Sequence, residues 1–279
     1  MIHCESRAEI LDIRSKQVGT VGVVPTMGAL HQGHAALIES SMASCDQTWV
    51  SVFVNPTQFA PHEDFNRYPR QLKKDLAFCQ SLGADVVVTP SEATMYPNGD
   101  IVAKYMPPLE LSQIMCGKTR PHFFNGVCNV VERLFAMVQP THAFFGNKDL
   151  QQRVIIERMV HDLGSGIEVV GVPIVRNEAG LALSSRNAYL SEDGHRLASY
   201  ISMVLHDSAS HVRQSSWSSH SVRQFVAAEL EGRGLKGDYV EIFRPIYGEC
   251  VSGEINPGDH CCVAFYCDNV RLIDNIQLI

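Results

Sequence analysis

Two histidines three positions apart close the segment Pro25-Thr26-Met27-Gly28-Ala29-Leu30-His31-Gln32-Gly33-His34. Over a helical turn that spacing places both rings, His31 and His34, on one side. Gly28 and Gly33 let backbone come close to a ligand, and a helix beginning here offers unpaired N–H groups to an anion. Two histidines beside a turn also cap it or stand in solvent, so the motif alone leaves both readings open. A second cluster, Asn55-Pro56-Thr57-Gln58, presents uncharged amides that suit a hydroxyl-bearing substrate, although Asn-Pro by itself is a turn. A third, Gly146-Asn147-Lys148-Asp149-Leu150-Gln151-Gln152, puts Lys148 and Gln152 on one helix face and Asp149 at the favourable end of the dipole. A lysine there is either a solvated surface charge or a clamp for phosphate. The fourth, Leu183-Ser184-Ser185-Arg186, joins two hydroxyls and a guanidinium on a loop that can grip triphosphate oxygens and move with them.

The elements that must position these clusters are legible as a period change. From Thr20 to about Pro173, runs rich in Val, Ile and Phe (Thr20–Val24, Thr48–Val54, Asp85–Val88, His142–Gly146, Ile167–Val172) alternate with helical stretches. The helical stretches are Gly33–Ser44, Arg70–Leu82, Asn125–Val138 and Lys148–Leu163, the last with Ile155, Met159 and Leu163 as an apolar stripe. Such alternation predicts an α/β, Rossmann-like parallel sheet with right-handed crossovers and a ligand crevice at the carboxyl ends of the strands. Three of the four clusters fall at strand ends. After about Arg176 the order becomes helix, helix, strand, strand: Glu192–Val212, the polar stretch Gln214–Ser221, Val222–Arg233, then Asp238–Phe243 and Cys261–Tyr266 around a turn at Asn256–Asp259. This predicts a smaller α+β unit with antiparallel pairing, and a division into residues 1–175 and 176–279.

Composition narrows the partners. The chain has 279 residues, 45% apolar and 19% charged, as expected for an ordinary globular protein of about two domains. Its 23 basic against 30 acidic residues give a formal charge of −7, with no cationic excess for nucleic acid, so any phosphate must be held locally. Nine cysteines, without a Cys-x-x-Cys pair or zinc-ligand spacing, read as reduced thiols and assign no metal ligands. Glu5, Arg7 and Glu9 occupy the place of a signal-peptide core, and the uncharged stretch Gln17–Ile38 is broken by Pro25 and its glycines. The expectation is a soluble, cytoplasmic protein with no membrane partner.

With these residues in view, the sequence resembles the pantothenate synthetase (pantoate–β-alanine ligase) family, part of the nucleotidyl transferases that carry His-x-Gly-His and a mobile Lys/Arg loop. The matching segments are PTMGALHQGH, SVFVNPTQF, EDFNRYPR, Val130–Val160 with LFAMVQP and KDLQQ, EVVGVPIVR, GLALSSRNAYLS and RLIDN, in order and nearly end to end. The resemblance implies two steps in one site. Pantoate's carboxylate attacks the α-phosphate of Mg-ATP to give pantoyl adenylate and pyrophosphate; β-alanine's amine then displaces AMP. It implies His31, His34, Lys148, Arg186 and Mg²⁺ as stabilisers of developing phosphate charge, with His34 a proton donor or a charge stabiliser. It assigns ATP contacts to Pro25, Thr26, Met27, Gly28, His31, Gly33, His34, Gly146, Asn147, Lys148, Asp149 (at the ribose), Val175, Leu183, Ser184, Ser185 and Arg186. It assigns pantoate to Gln58 and Gln152, with Asn55 and Tyr68 nearby. It also implies that the C-terminal domain closes as a lid and that the chain forms a homodimer.

Three positions depart from the family pattern. Asn147 replaces the usual glutamate beside the lysine and bears on ATP affinity. Arg120-Pro121-His122-Phe123-Phe124 sets its histidine one position early, and Asn129 stands where threonine is usual; both bear on a segment expected to line the site. Another nucleotidyl transferase of the same group, or a non-catalytic nucleotide-binding relative, remains an alternative at this point.

Overall fold

The computed structural model describes residues 1–61, 63–215 and 217–279. Ser216, within the serine-rich stretch expected to separate two helices, lies outside the described residues. The strands are β1 (Ile2–Cys4), β2 (Val21–Thr26), β3 (Gln47–Val52), β4 (Val86–Val88), β5 (His142–Gly146), β6 (Glu168–Val172), β7 (Lys236–Arg244), β8 (Glu249–Cys250), β9 (His260–Cys267) and β10 (Val270–Gln277). The helices are α1 (Arg7–Ser15), α2 (Gln32–Ser44), α3 (Leu72–Leu82), three one-turn pieces α4 (Glu92–Met95), α5 (Leu109–Ser112) and α6 (Cys116–Thr119), then α7 (Phe123–Val138), α8 (Leu150–Asp162), α9 (Glu192–Ser215) and α10 (Ser219–Gly232).

The first six strands form one parallel sheet in the order β1-β4-β3-β2-β5-β6. Val21, Val23, Val24, Trp49, Val50 and Val86 to Val88 are buried because helices cover both faces, so these strands read as apolar runs rather than as alternation. The chain winds outward from β2 through β3 to β4, then returns to start again on the other side with β5. The carboxyl ends of β2 and β5 therefore flank the point where strand order reverses, where such sheets open a crevice. Pro25 and Thr26 end β2, and Gly146 ends β5.

The last four strands form a separate antiparallel sheet in the order β10-β9-β7-β8, covered by α9 and α10 around Ile201, Leu205, Val222, Val226, Ile242 and Phe265. The fold class read from sequence is present, with additions. β1 is an edge strand beside β4, and β10 is a full partner of β9 through Asn275↔Cys262 and Gln277↔His260. The α8 stripe is shorter than its periodicity suggests: Ile155 and Met159 are buried, whereas Leu163 lies past the helix end and is 48% exposed. All nine cysteines are free thiols, and among the described residues no helix is long and apolar enough to cross a membrane.

Candidate active site

His31 is the N-cap of α2, and its ring folds back over the first turn so that Nδ1 accepts the Gly33 N–H at 3.1 Å. His34 returns the arrangement, its Nδ1 accepting the His31 N–H at 3.2 Å. The glycine between them is a steric requirement, since a Cβ at Gly33 would stand 2.8 Å from Cε1 and 2.9 Å from Nδ1 of the His31 ring. Both readings of the motif are thus realised: the rings cap the helix, and they also share one side, 4.1 Å apart. A backbone N–H aimed at Nδ1 needs a lone pair there, so each neutral ring carries its proton on Nε2 as an outward donor. Burial, with Lys148 adding to it, lowers His31 from 6.5 to about 4; burial and then His31 lower His34 to about 3. Both are neutral at physiological pH, so His34 offers a hydrogen bond rather than a readily given proton.

The loop ahead of α2 is held from behind. Ala29 takes a left-handed φ of 52°, next to Gly28 at 80°. Asp75 on α3, 2% exposed, accepts the N–H groups of Ala29 at 3.1 Å and Leu30 at 2.9 Å. That acceptor stabilises a turn that an alanine rarely adopts.

Pro25, Thr26, Met27, His31, Gly33, His34, Asn55, Gln58, Tyr68, Gly146, Lys148, Asp149, Gln152, Val175, Leu183, Ser184, Ser185 and Arg186 all line one cavity of about 230 Å³ at the carboxyl ends of β2, β3 and β5. A larger cavity of about 630 Å³, reaching toward β7, β9 and β10, shares Met27, Gln58, Lys148, Asp149, Gln152, Ser184 and Arg186 with it. Two residues expected to touch ATP are not on these walls. Gly28, at φ 80°, is packed so that a Cβ there would meet the Asp75 carboxylate at 3.0 Å and Val52 at 3.1 Å. Asn147 points into the protein, its Oδ1 buried against Gly171 without a hydrogen-bond partner.

Asn55 lines the cavity yet has no hand free for a ligand. It is 1% exposed; Nδ2 donates to Gln58 Oε1 and the Gly126 carbonyl, both at 3.1 Å, while Oδ1 accepts from Tyr96 Oη at 2.6 Å and Thr57 Oγ1 at 2.9 Å. It therefore orients Gln58, which lines the cavity and whose amide nitrogen donates to Met27 Sδ at 2.9 Å. Gln152, one turn beyond Lys148, enters from α8. Ser185 rests on the histidine loop through Oγ to the Ala29 carbonyl at 3.2 Å, and Ser184 caps the Arg186 N–H at 3.3 Å. Of the remaining departures, Phe123, at the position where the histidine is usual, lines the larger cavity, whereas the other two face elsewhere. His122 is exposed at the start of α7, and the Asn129 amide bonds the Ile101 carbonyl at 2.7 Å, away from the walls formed by Val127, Val130 and Val131.

Sequence reasoning passes over Asp64, Asp75 and Asn275. Asp64 lies in EDFNRYPR and Asn275 in RLIDN, so segment resemblance is the only signal for those two; Asp75 sits in an unremarkable amphipathic helix. Among the described residues no group of three acidic, histidine or cysteine side chains is placed to hold a metal ion.

Residues 3–277 match the family model described as pantoate-beta-alanine ligase. The chain is 47% identical over 262 residues to a bifunctional pantoate ligase/cytidylate kinase of Thermosynechococcus vestitus, covering 93% of this chain but 51% of that relative, so it spans about half of the bifunctional protein. A crystal structure of pantothenate synthetase from Thermus thermophilus superposes with a TM-score of 0.93 at 39% identity, covering 100% of this chain and 99% of that one. A pantoate-beta-alanine ligase of Francisella tularensis, solved with beta-gamma ATP and beta-alanine, superposes at 0.84 with 33% identity over 100% of this chain and 98% of that one.

Proposed function

The chain belongs to the pantoate–β-alanine ligase family, enzymes that form pantothenate, and from that premise we propose that it does so through a pantoyl adenylate made from pantoate and ATP. In the first step a pantoate carboxylate oxygen attacks the α-phosphate and the bond to pyrophosphate breaks. In the second, the β-alanine amine attacks the acyl carbon, AMP leaves, and the amine's proton passes to solvent or phosphate. The observation that carries this reading is that Gln58, Gln152, His31, His34, Lys148 and Arg186, drawn from four distant segments, line one connected space.

Gln58 and Gln152 supply uncharged donors and acceptors for pantoate's hydroxyls and carboxylate, with Tyr68 beside them and Asn55 acting through Gln58. ATP lies along the histidine loop, Gly146 to Asp149, Val175 and Leu183 to Arg186, with Asp149 at the ribose. Negative charge grows on the α-phosphate and departing pyrophosphate, so Lys148, Arg186 and the two Nε2–H groups stabilise the transition state more than the ground state. Mg²⁺ enters with ATP as part of the substrate and screens the same charge. Residues 176–279 act as a lid over the site built by residues 1–175, because an acyl adenylate exposed to water hydrolyses before an amine reaches it. The working protein is a cytoplasmic homodimer in this reading. Incubation with pantoate, β-alanine and Mg-ATP tests it: pantothenate and AMP must appear in equal amounts by mass spectrometry, and formation of ADP in place of AMP would refute the adenylate.

A further inference from the structure

The antiparallel sheet reaches the lysine loop with one side chain. Asn275 on β10 is 4% exposed, and its Nδ2 donates to the carbonyl of Asn147 at 2.8 Å and of Lys148 at 3.1 Å. Those oxygens belong to the two peptide planes on either side of the Lys148 Cα. Fixing both planes fixes the direction of the Cα–Cβ bond, and with it where the ammonium can reach. We propose that Asn275 is a positioning residue for Lys148, so that the phosphate clamp is set by the seating of the C-terminal sheet; this rests on Lys148 having the clamp role given above.

Asn275 is itself over-determined. Its Oδ1 pairs with His260 Nδ1 on the neighbouring strand at 3.1 Å, which leaves the amide hydrogens for the two carbonyls. Its own N–H bonds the Asp274 carboxylate at 2.8 Å. Asp274, also 4% exposed, receives both arms of Arg176, at 2.5 and 2.9 Å, and Arg176 lies where the chain leaves the parallel sheet for the C-terminal unit. Adjacent residues of one strand thus hold the connection between the units through Asp274 and the lysine loop through Asn275. Any displacement of β10 is passed to Lys148 by hydrogen bonds to backbone, without a side chain touching substrate. The amide is the one side chain of this size that offers two hydrogens to carbonyls while accepting a third bond.

The test uses the full chain and the pantoate-dependent exchange of pyrophosphate into ATP. Asn275→Asp keeps the shape but turns two donors into acceptors facing carbonyls, and Asn275→Ala removes the group without adding charge. Both lower the exchange rate roughly 10- to 100-fold, the scale of a misplaced catalytic group. Pantoate affinity by calorimetry stays within about twofold, since Gln58 and Gln152 are untouched. Mg-ATP affinity completes the cycle: if Asn275 acts through Lys148, Asn275→Ala adds no further loss in a Lys148→Ala background. Wild-type exchange is measured first, and its failure would count against the proposed function alone. With wild-type exchange present, near-normal rates in both variants would overturn the inference. So would pantoate affinity falling in step with turnover, an undiminished ATP-affinity loss in the Lys148→Ala background, or loss of folding in both variants.

Discussion

Arg186 lies fork-on to Asp64, with Nε 3.0 Å from Oδ2 and Nη2 2.9 Å from Oδ1. The two residues lie 122 positions apart in the chain, and both line the larger cavity. The fork engages Nε and Nη2 and leaves Nη1 as the nitrogen turned away from the carboxylate. In the proposed reaction a guanidinium fixed in this way is aimed before the triphosphate arrives, at the cost of a negative charge beside it.

Replacing that carboxylate by an amide separates the two effects. Asp64→Asn relieves repulsion and tightens Mg-ATP binding severalfold, while the looser fork lowers turnover about tenfold. Calorimetry and exchange kinetics on one preparation check this. Turnover kept at the wild-type rate would show that Arg186 needs no such aim.

Lys148 offers the sharper loss. Lys148→Ala lowers adenylate formation by about 10²- to 10³-fold, as expected for removal of one donor to developing charge. The side chain lies on the cavity wall outside the buried cores, so the thermal midpoint stays close to wild type. A circular-dichroism melt beside an exchange assay reads both, and normal exchange would remove the lysine from the chemistry.

Burial lowers His31 to about 4 and His34 to about 3 from an ordinary 6.5. The unfolded chain takes up these protons first as pH falls through about 6.5, so both rings withdraw stability on acidification, down to about pH 4 and below. The melting temperature of wild type therefore drops more steeply than that of His34→Gln between about pH 7.5 and about pH 4.5. Turnover shows no limb near 6.5 from either ring; such a limb, absent in His34→Gln, would make His34 a titrating acid.

Asp75 links fold to site. Asp75→Ala leaves two loop N–H groups without their acceptor and costs about 2 kcal/mol by urea denaturation, the scale of bonds to a charged group. Exchange activity falls with it because the histidine loop loses its brace. Asp75→Asn, which retains one acceptor, falls in between.

Much of this is legible in the sequence because its signals are local. Apolar runs mark the buried strands, and three of the four clusters follow strand ends, where a parallel sheet opens. The less legible parts depend on distant partners. β1 has three residues and gains its meaning only from pairing with β4. In β10, Asp274 and Asn275 interrupt the apolar alternation, and their partners are Arg176 and the Asn147 and Lys148 carbonyls, 98 to 128 residues away. Asn55 suits a substrate ligand by residue type, but its bonds are filled from Tyr96, Thr57 and Gly126. Gly28 and Asn147 match by position along the chain, which does not say which way a backbone turn faces.

The measurement that bears most directly on the account is isotope exchange between radiolabelled pyrophosphate and ATP with β-alanine left out. If pantoate's carboxylate attacks the α-phosphate in this cavity, label enters ATP when pantoate and Mg²⁺ are both present and stops when either is withheld. Label entering with a different acid in place of pantoate, or pantothenate forming without any such exchange, would contradict it.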